Sequence, residues 1–452
     1  MPRTQVLTLF LLLTIFSPAV ADDWSQVGVA RRDITPDYPV RLTGYGNRKD
    51  EATEVEQRLW AKALAIGVGD EAAVLVTVDN LGISAAHTTE VARRLQEKFG
   101  LRRERFVVCA SHTHTAPYLP SVAPTIFEPP LPAEHMEHSR RYERELVDHL
   151  TQVSAAALEA RAKGRITWTQ GTATFAANRR SLRDGKWTGF GVVPTGVVDH
   201  ALPVLRVTDE AGKVRAVLVN YACHCTTLGG RFNKLCGDWA GYAQEFIERD
   251  HPGAIAMIAI GCGADANPEP RDKDDAVALC KRHGEAIAAE VKRLVSSDWT
   301  PVTGSPRCAL KQIKLPFDKL PTREEFEQRT QQRGPISWHA RVNLARLDRG
   351  EKLPTELDYP VQVWKFDQGP TMVFLAGEVV VDYVLRLKRE LNSDRLWVTA
   401  YANDDPCYIA SKRVIAEGGY EVDSSMYYYD RPTRFAPEVE DRIVETVLGM
   451  VK

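Results

Sequence analysis

Apolar, strand-like runs alternate with helical patterns along most of this chain, and that alternation restricts it to α/β layering. Ala72–Val78 precedes the helical pattern His87–Gly100, and Arg105–Ala110 precedes the long stretch Ser139–Lys163. Val214–Tyr221 then leads into Trp239–Arg249, and Ala254–Ile260 into Asp275–Ser296. The runs are nearly continuously apolar, as expected when helices cover a sheet. Two further units, Thr371–Leu391 and Arg395–Ala402, continue the rhythm, and Ala436–Lys452 reads as a terminal helix. Segment 315–356 departs from it: it is charged, is bracketed by Pro316, Pro321 and Pro354, and carries two helical patterns, Thr322–Gln332 and Ser337–Gly350. The expectation is one large α/β domain over 22–452, a layered apolar sheet flanked by helices, with a helical insertion at 315–356.

Residues 1–21 read as a removable secretory signal. Arg3 precedes the apolar run Val6–Ile15, and Ala19-Val20-Ala21 has the small-x-small form that signal peptidase accepts. The run is about half the ~20 apolar residues that span a bilayer. No later segment is long and apolar enough, so the expected protein is exported, periplasmic or secreted, without a transmembrane segment. Removing Arg3 moves the formal net charge from −2 to −3, which offers nucleic acid no basic surface. Eight cysteines in an exported chain raise the question of disulfides. Cys109, Cys223 and Cys262 lie at or near the ends of apolar runs and Cys280 lies in a helical pattern, which marks buried thiols. One or two bridges are expected among Cys225, Cys236, Cys308 and Cys407.

Chemistry concentrates where apolar runs end. Ser111-His112-Thr113-His114-Thr115, Cys223-His224-Cys225, Gly377-Glu378 and Asn403–Tyr408 each follow such a run. Together they supply imidazoles, a carboxylate and a phenol, enough for a zinc site with an open position. In an extended backbone His112 and His114 point to the same side, so both reach one metal, or one binds it while the other faces substrate. Loop-forming Thr115-Ala116-Pro117 and Thr226-Thr227-Leu228-Gly229-Gly230 follow the histidine clusters. A packed core histidine requires no such loop. Glu378 sits where a strand hands over to a helix near Val379, and a buried carboxylate there calls for a cation or a pair.

These pieces resemble the neutral ceramidases and their relatives. The matching segments are Val27-Gly28-Val29-Ala30 through Asp33-Ile34-Thr35-Pro36, then Gly44-Tyr45-Gly46, Arg58–Ala63, Ser111–Pro117, Asn178-Arg179 and Asn220–His224. Gly263–Pro268, Gly377-Glu378 and Glu417–Glu421 follow in family order. The resemblance implies one Zn²⁺ held by His112, His224, Glu378 and Tyr408, with His114 and Arg179 facing the scissile group. Asp405 is the alternative to Tyr408, because it stands where the family's loop usually carries a further tyrosine.

Two departures bear on function. The family's catalytic serine falls at Asn267 in the best register, and an amide cannot accept an acyl group but can donate to an oxyanion. The chain also stops soon after the tyrosine region, so the immunoglobulin-like domain of longer family members is not expected. The resulting expectation is a zinc-dependent hydrolase of N-acyl amides, with lipid or small-molecule substrate, in which activated water attacks. His114, Arg179 and Asn267 would stabilise the oxyanion. The alternatives are a dinuclear metallohydrolase drawing on Asp79, Asp265 or Asp404, a catalytically degenerate binding protein, and a structural or adhesion module.

Overall fold

The computed structural model describes residues 24–128 and 131–451. The signal read at residues 1–21 lies outside them. A 9-stranded sheet forms the centre. Its order, by residues, is Ile255–Ile260, Val214–Tyr221, Ala201–Asp209, Ala162–Thr172, Trp24–Asp33, Trp60–Ile66, Ala73–Val78 and Phe106–Ala110, with Thr300–Val302 as a side branch on Ala162–Thr172. The inner pairs are antiparallel, and each outer pair is parallel. Each parallel step needs a crossover, supplied by the helices Ala85–Phe99 and Asp238–Asp250. Ser84 caps the first of these by accepting from the His87 amide, and Gly100 ends it in the left-handed conformation.

Alternation along the strands divides the core. Ala61, Ala63, Val74, Val76 and Val78 turn to the face packed by the helices Ala85–Phe99 and Ala133–Glu159. Leu64, Leu75, Val107, Leu205 and Leu218 turn the other way, against Trp364, Phe374 and Trp397 of a 4-stranded sheet. That second sheet runs Arg307–Pro316, Glu356–Lys365, Thr371–Leu375 and Leu396–Thr399. The large sheet is thus covered by helices on one face and by a second sheet on the other. This accounts for strands apolar at successive positions within a mixed α/β architecture. Helices Asp382–Leu391 and Val439–Val451 pack on each other, the latter also against the second sheet. Between Arg307–Pro316 and Glu356–Lys365 the chain forms two helices, Arg323–Arg329 and Pro335–Asp348.

Several local expectations change. Helix Ala133–Glu159 ends before Lys163, and a strand starts at Ala162, because the apolar alternation there belongs to the sheet. All eight cysteines are free, including Cys225, Cys236, Cys308 and Cys407, for which bridges were expected. All but half-buried Cys308 are interior, where burial pushes the thiols up and packing makes them small apolar side chains. No described helix is long and apolar enough to cross a membrane.

Candidate metal and active site

The site assembles from four strand ends. Phe106–Ala110 delivers His112, but not through an extended backbone: His112 has φ 56°, a left-handed conformation uncommon for a residue with a Cβ. That turn, rather than strand alternation, brings His112 and His114 together. Thr113 bridges to Cys225 in parallel, setting the two histidine segments side by side. Glu378 does not begin a helix. It pairs with Tyr408 in a two-residue parallel ladder, and the helix starts at Asp382. Gly377 makes this possible: its φ is 74°, and a Cβ there would lie 2.4 Å from the Cys407 carbonyl.

Three lone-pair atoms converge. His112 Nδ1 lies 2.7 Å from the Leu81 carbonyl and His224 Nδ1 lies 2.9 Å from the Gly263 carbonyl. A carbonyl only accepts, so both Nδ1 atoms carry a proton, and in the neutral ring form the Nε2 lone pairs are free. Those Nε2 atoms stand 3.3 and 3.0 Å from the same oxygen, Oε2 of Glu378. Burial, then Arg179, pushes His224 down to about 4, so it is neutral near pH 7. Glu378 is itself buried between the two rings. The Arg179 guanidinium donates to His224 Nε2 only at 3.4 Å, and acceptors packed this closely on Glu378 Oε2 suit a cation. Ligands at ~2.0–2.1 Å from a tetrahedral zinc stand ~3.3 Å apart, so the spacing fits that ion. The Tyr408 hydroxyl lies 3.4 Å from His224 Nε2. Burial and Glu378 raise its pKa well above the ordinary value, so this phenol keeps its proton.

His114 joins the cluster by distance, its Nε2 lying 3.2 Å from His112 Nε2. The nitrogens of His112, His114 and His224 all fall within 4.8 Å of one another. His114 differs in support. Its Nδ1 is buried without a partner, and the ring rests on Gly44, where a Cβ would come within 2.5 Å of it. Burial and the two neighbouring imidazoles push His114 well below its ordinary pKa. His114 and Glu378 line a cavity of about 530 Å³, together with Arg179, Asn267 and Tyr408.

Arg179 and Asn267 form the opposite wall. Asn267 lies in a short strand, Ala266–Pro268, paired antiparallel with the start of Ala176–Arg183. Arg179 donates to Glu421 Oε1 at 2.9 Å, to Asn267 Oδ1 at 3.3 Å and to the Tyr408 hydroxyl at 3.1 Å. Burial opposes its charge, and the buried Glu421 carboxylate that accepts from it balances that charge. Thr226 Oγ1 also donates to Asn267 Oδ1, which turns the amide's donor end away from both partners.

Asp405 is fully buried with neither carboxylate oxygen bonded. Burial, then Glu378, raises its pKa well above the ordinary value. Each of the three carboxylates considered for a second metal accepts from a backbone amide. Asp79 accepts from the Trp60 amide, Asp265 from the Val381 amide and Asp404 from the Ala85 amide.

Sequence reasoning missed three contributors. Tyr429 donates to Glu378 Oε1, Tyr401 stacks on His112 with centroids 4.1 Å apart, and Glu421 clamps both Arg179 and Arg180. Glu421 stood in a recognised segment without a role, and the tyrosines follow no periodic signal.

A family model described as neutral/alkaline non-lysosomal ceramidase, N-terminal, matches residues 25–343. The neutral ceramidase of Pseudomonas aeruginosa is 25% identical over 261 residues, which span 55% of this chain and 37% of that protein. A crystal structure of neutral ceramidase from that organism superposes with TM-score 0.68 at 19% identity, over 94% of this chain and 74% of the other. A structure of a ceramidase complexed with C2 also gives TM-score 0.68, at 18% identity, over 93% of this chain and 74% of the other. Both structural likenesses bear on the fold. With the family model matching well over half of its length, the chain belongs to the neutral/alkaline non-lysosomal ceramidase family.

Proposed function

We propose that this protein is an exported, zinc-dependent hydrolase of N-acyl amides, acting on a lipid or small-molecule substrate. The observation that carries the reading is the convergence of two bare imidazole nitrogens on Glu378 Oε2 at the cavity wall. His112, His224, Glu378 and Tyr408 would hold the ion. When bound, zinc supplies Lewis acidity that makes water nucleophilic near neutral pH.

The remaining work falls to the protein. An acyl carbonyl entering the cavity meets the Arg179 guanidinium and the Asn267 amide, whose donors suit the negative charge that develops on its oxygen. Arg179 needs no rearrangement to do this, because Glu421 and Tyr408 already fix its plane. His114 is neutral and unanchored at Nδ1, so the ring can donate its N–H to the oxyanion, or take the proton of the attacking water at its other nitrogen and then hand that proton to the departing nitrogen. Asn267 cannot form an acyl intermediate, so attack by water is direct.

The test is fatty-acid release from a panel of N-acyl amides by the zinc-loaded protein, with zinc removed by chelation as control. Turnover that disappears with the metal and returns on its addition supports the proposal. Zinc binding without turnover of any amide or ester would favour the degenerate binding protein instead.

A further inference from the structure

We infer that the amide cleaved here carries a carboxylate on its amine side and that Arg271 recognises it, an inference that rests on the amide-hydrolase reading. Arg271 lines the same cavity as His114, Arg179 and Asn267. Its situation differs from that of the other arginines near the site. Arg179 is held by Glu421, Asn267 and Tyr408, and Arg180 by Glu417 and Glu421. Arg48 is held by the carbonyls of Thr43, His114 and Phe232. Arg271 makes one contact among the described residues, from NH1 to the Thr226 carbonyl at 3.5 Å, the outer limit of a hydrogen bond. It forms no ion pair there, although Glu128 lines the same cavity. A half-buried guanidinium that lines a cavity and makes a single long hydrogen bond suits the planar, two-oxygen edge of a carboxylate.

Position specifies where that carboxylate sits on the substrate. Thr226 joins the two groups: its hydroxyl donates to Asn267 and its carbonyl accepts from Arg271. Arg271 is therefore the next donor along the wall from the amide proposed to hold the scissile carbonyl. In an N-acyl amino acid the carboxylate carbon is two bonds from the scissile nitrogen, so one molecule engages both. The rest of the lining is apolar and aromatic, with Ile126, Tyr428, and Phe190 and Tyr420, whose rings are 4.9 Å apart and also pack on Arg179. It suits the acyl chain. A cavity of 530 Å³ holds roughly 18 water-sized groups at ~30 Å³ each, enough for an amino acid and part of a chain. The reaction is hydrolysis: water oxygen bonds to the acyl carbon, the C–N bond breaks and the nitrogen takes a proton. The products are a fatty acid and a free amino acid.

The experiment measures laurate release by the zinc-loaded protein from N-lauroylglycine, N-lauroylglycinamide and N-lauroylethanolamine. The free acid is expected to show a kcat/KM about 10- to 100-fold above both neutral substrates, the range of a hydrogen-bonded charge pair. In Arg271→Leu that ratio should fall toward one, and in Arg271→Lys it should be intermediate. Neutral substrates cleaved as well as the acid by the unaltered protein would overturn the inference while leaving amide hydrolysis intact. So would a ratio that survives Arg271→Leu. Failure to cleave any of the three would remove the parent reading and this inference with it.

Discussion

Tyr429 hydrogen-bonds Oε1 of Glu378 and so leaves Oε2 to face His112 and His224. Partners that orient a ligand are worth about 10- to 100-fold in metal affinity. Tyr429→Phe is accordingly expected to weaken zinc binding by about that factor with the fold intact, measured by chelator competition. Affinity equal to that of the unaltered protein would mean Glu378 is oriented without the phenol. The histidines were legible in the sequence because each stands between an apolar run and a loop, a placement that packing alone does not require. Tyr429, Tyr401 and Glu421 were not, because they come from irregular backbone whose contacts exist only after folding. Tyr401 itself has φ 53°, a conformation no sequence pattern announces.

At the scale of elements, the parallel units were readable and the antiparallel ones were not. Ala73–Val78, and Val214–Tyr221 from Ala216 onward, are interior on both faces and stood out as apolar runs. Arg307–Pro316 is an edge strand exposed along much of its length, and its charges conceal it. The second sheet nevertheless contributes strongly through Trp397, 1% exposed, whose indole donates to Thr399. Trp397→Ala should cost about 3–5 kcal/mol, read from denaturant midpoints at unchanged slope. A loss under 1 kcal/mol would mean that the space between the sheets can collapse around the missing ring.

Asp265 ties together the elements that frame the cavity: it accepts from the Val381 amide, and Asn178 Nδ2 lies 3.4 Å from its other oxygen. Burial raises its pKa from 3.8 to about 6, so the folded state holds this proton more tightly than the unfolded one. Between about pH 4 and 6 the folded protein therefore binds more protons, and the stabilising contribution of this group is lost as pH rises through that window. Above it the contribution is constant. Thermal melts across pH 4 to 7 should show a slope in this window that Asp265→Asn reduces, and an unchanged slope would exclude Asp265 as its source.

For the whole molecule, the order of the chain places four strand ends around one cavity, although His112 and Tyr408 are far apart in sequence. The order of motifs made their convergence readable; Thr371–Leu375 and Leu396–Thr399 were legible as strands but were expected in the main layer, and the structure places them in the second sheet. The most direct test of the account is zinc per chain, measured by elemental analysis, in purified His112→Ala, His224→Ala and His114→Ala proteins. The account predicts loss of zinc and turnover in the first two. In His114→Ala it predicts retained zinc with turnover reduced by about 10²–10³, the effect of one lost oxyanion donor. Stoichiometric zinc in the His112 and His224 variants, or depletion in the His114 variant equal to theirs, would contradict it.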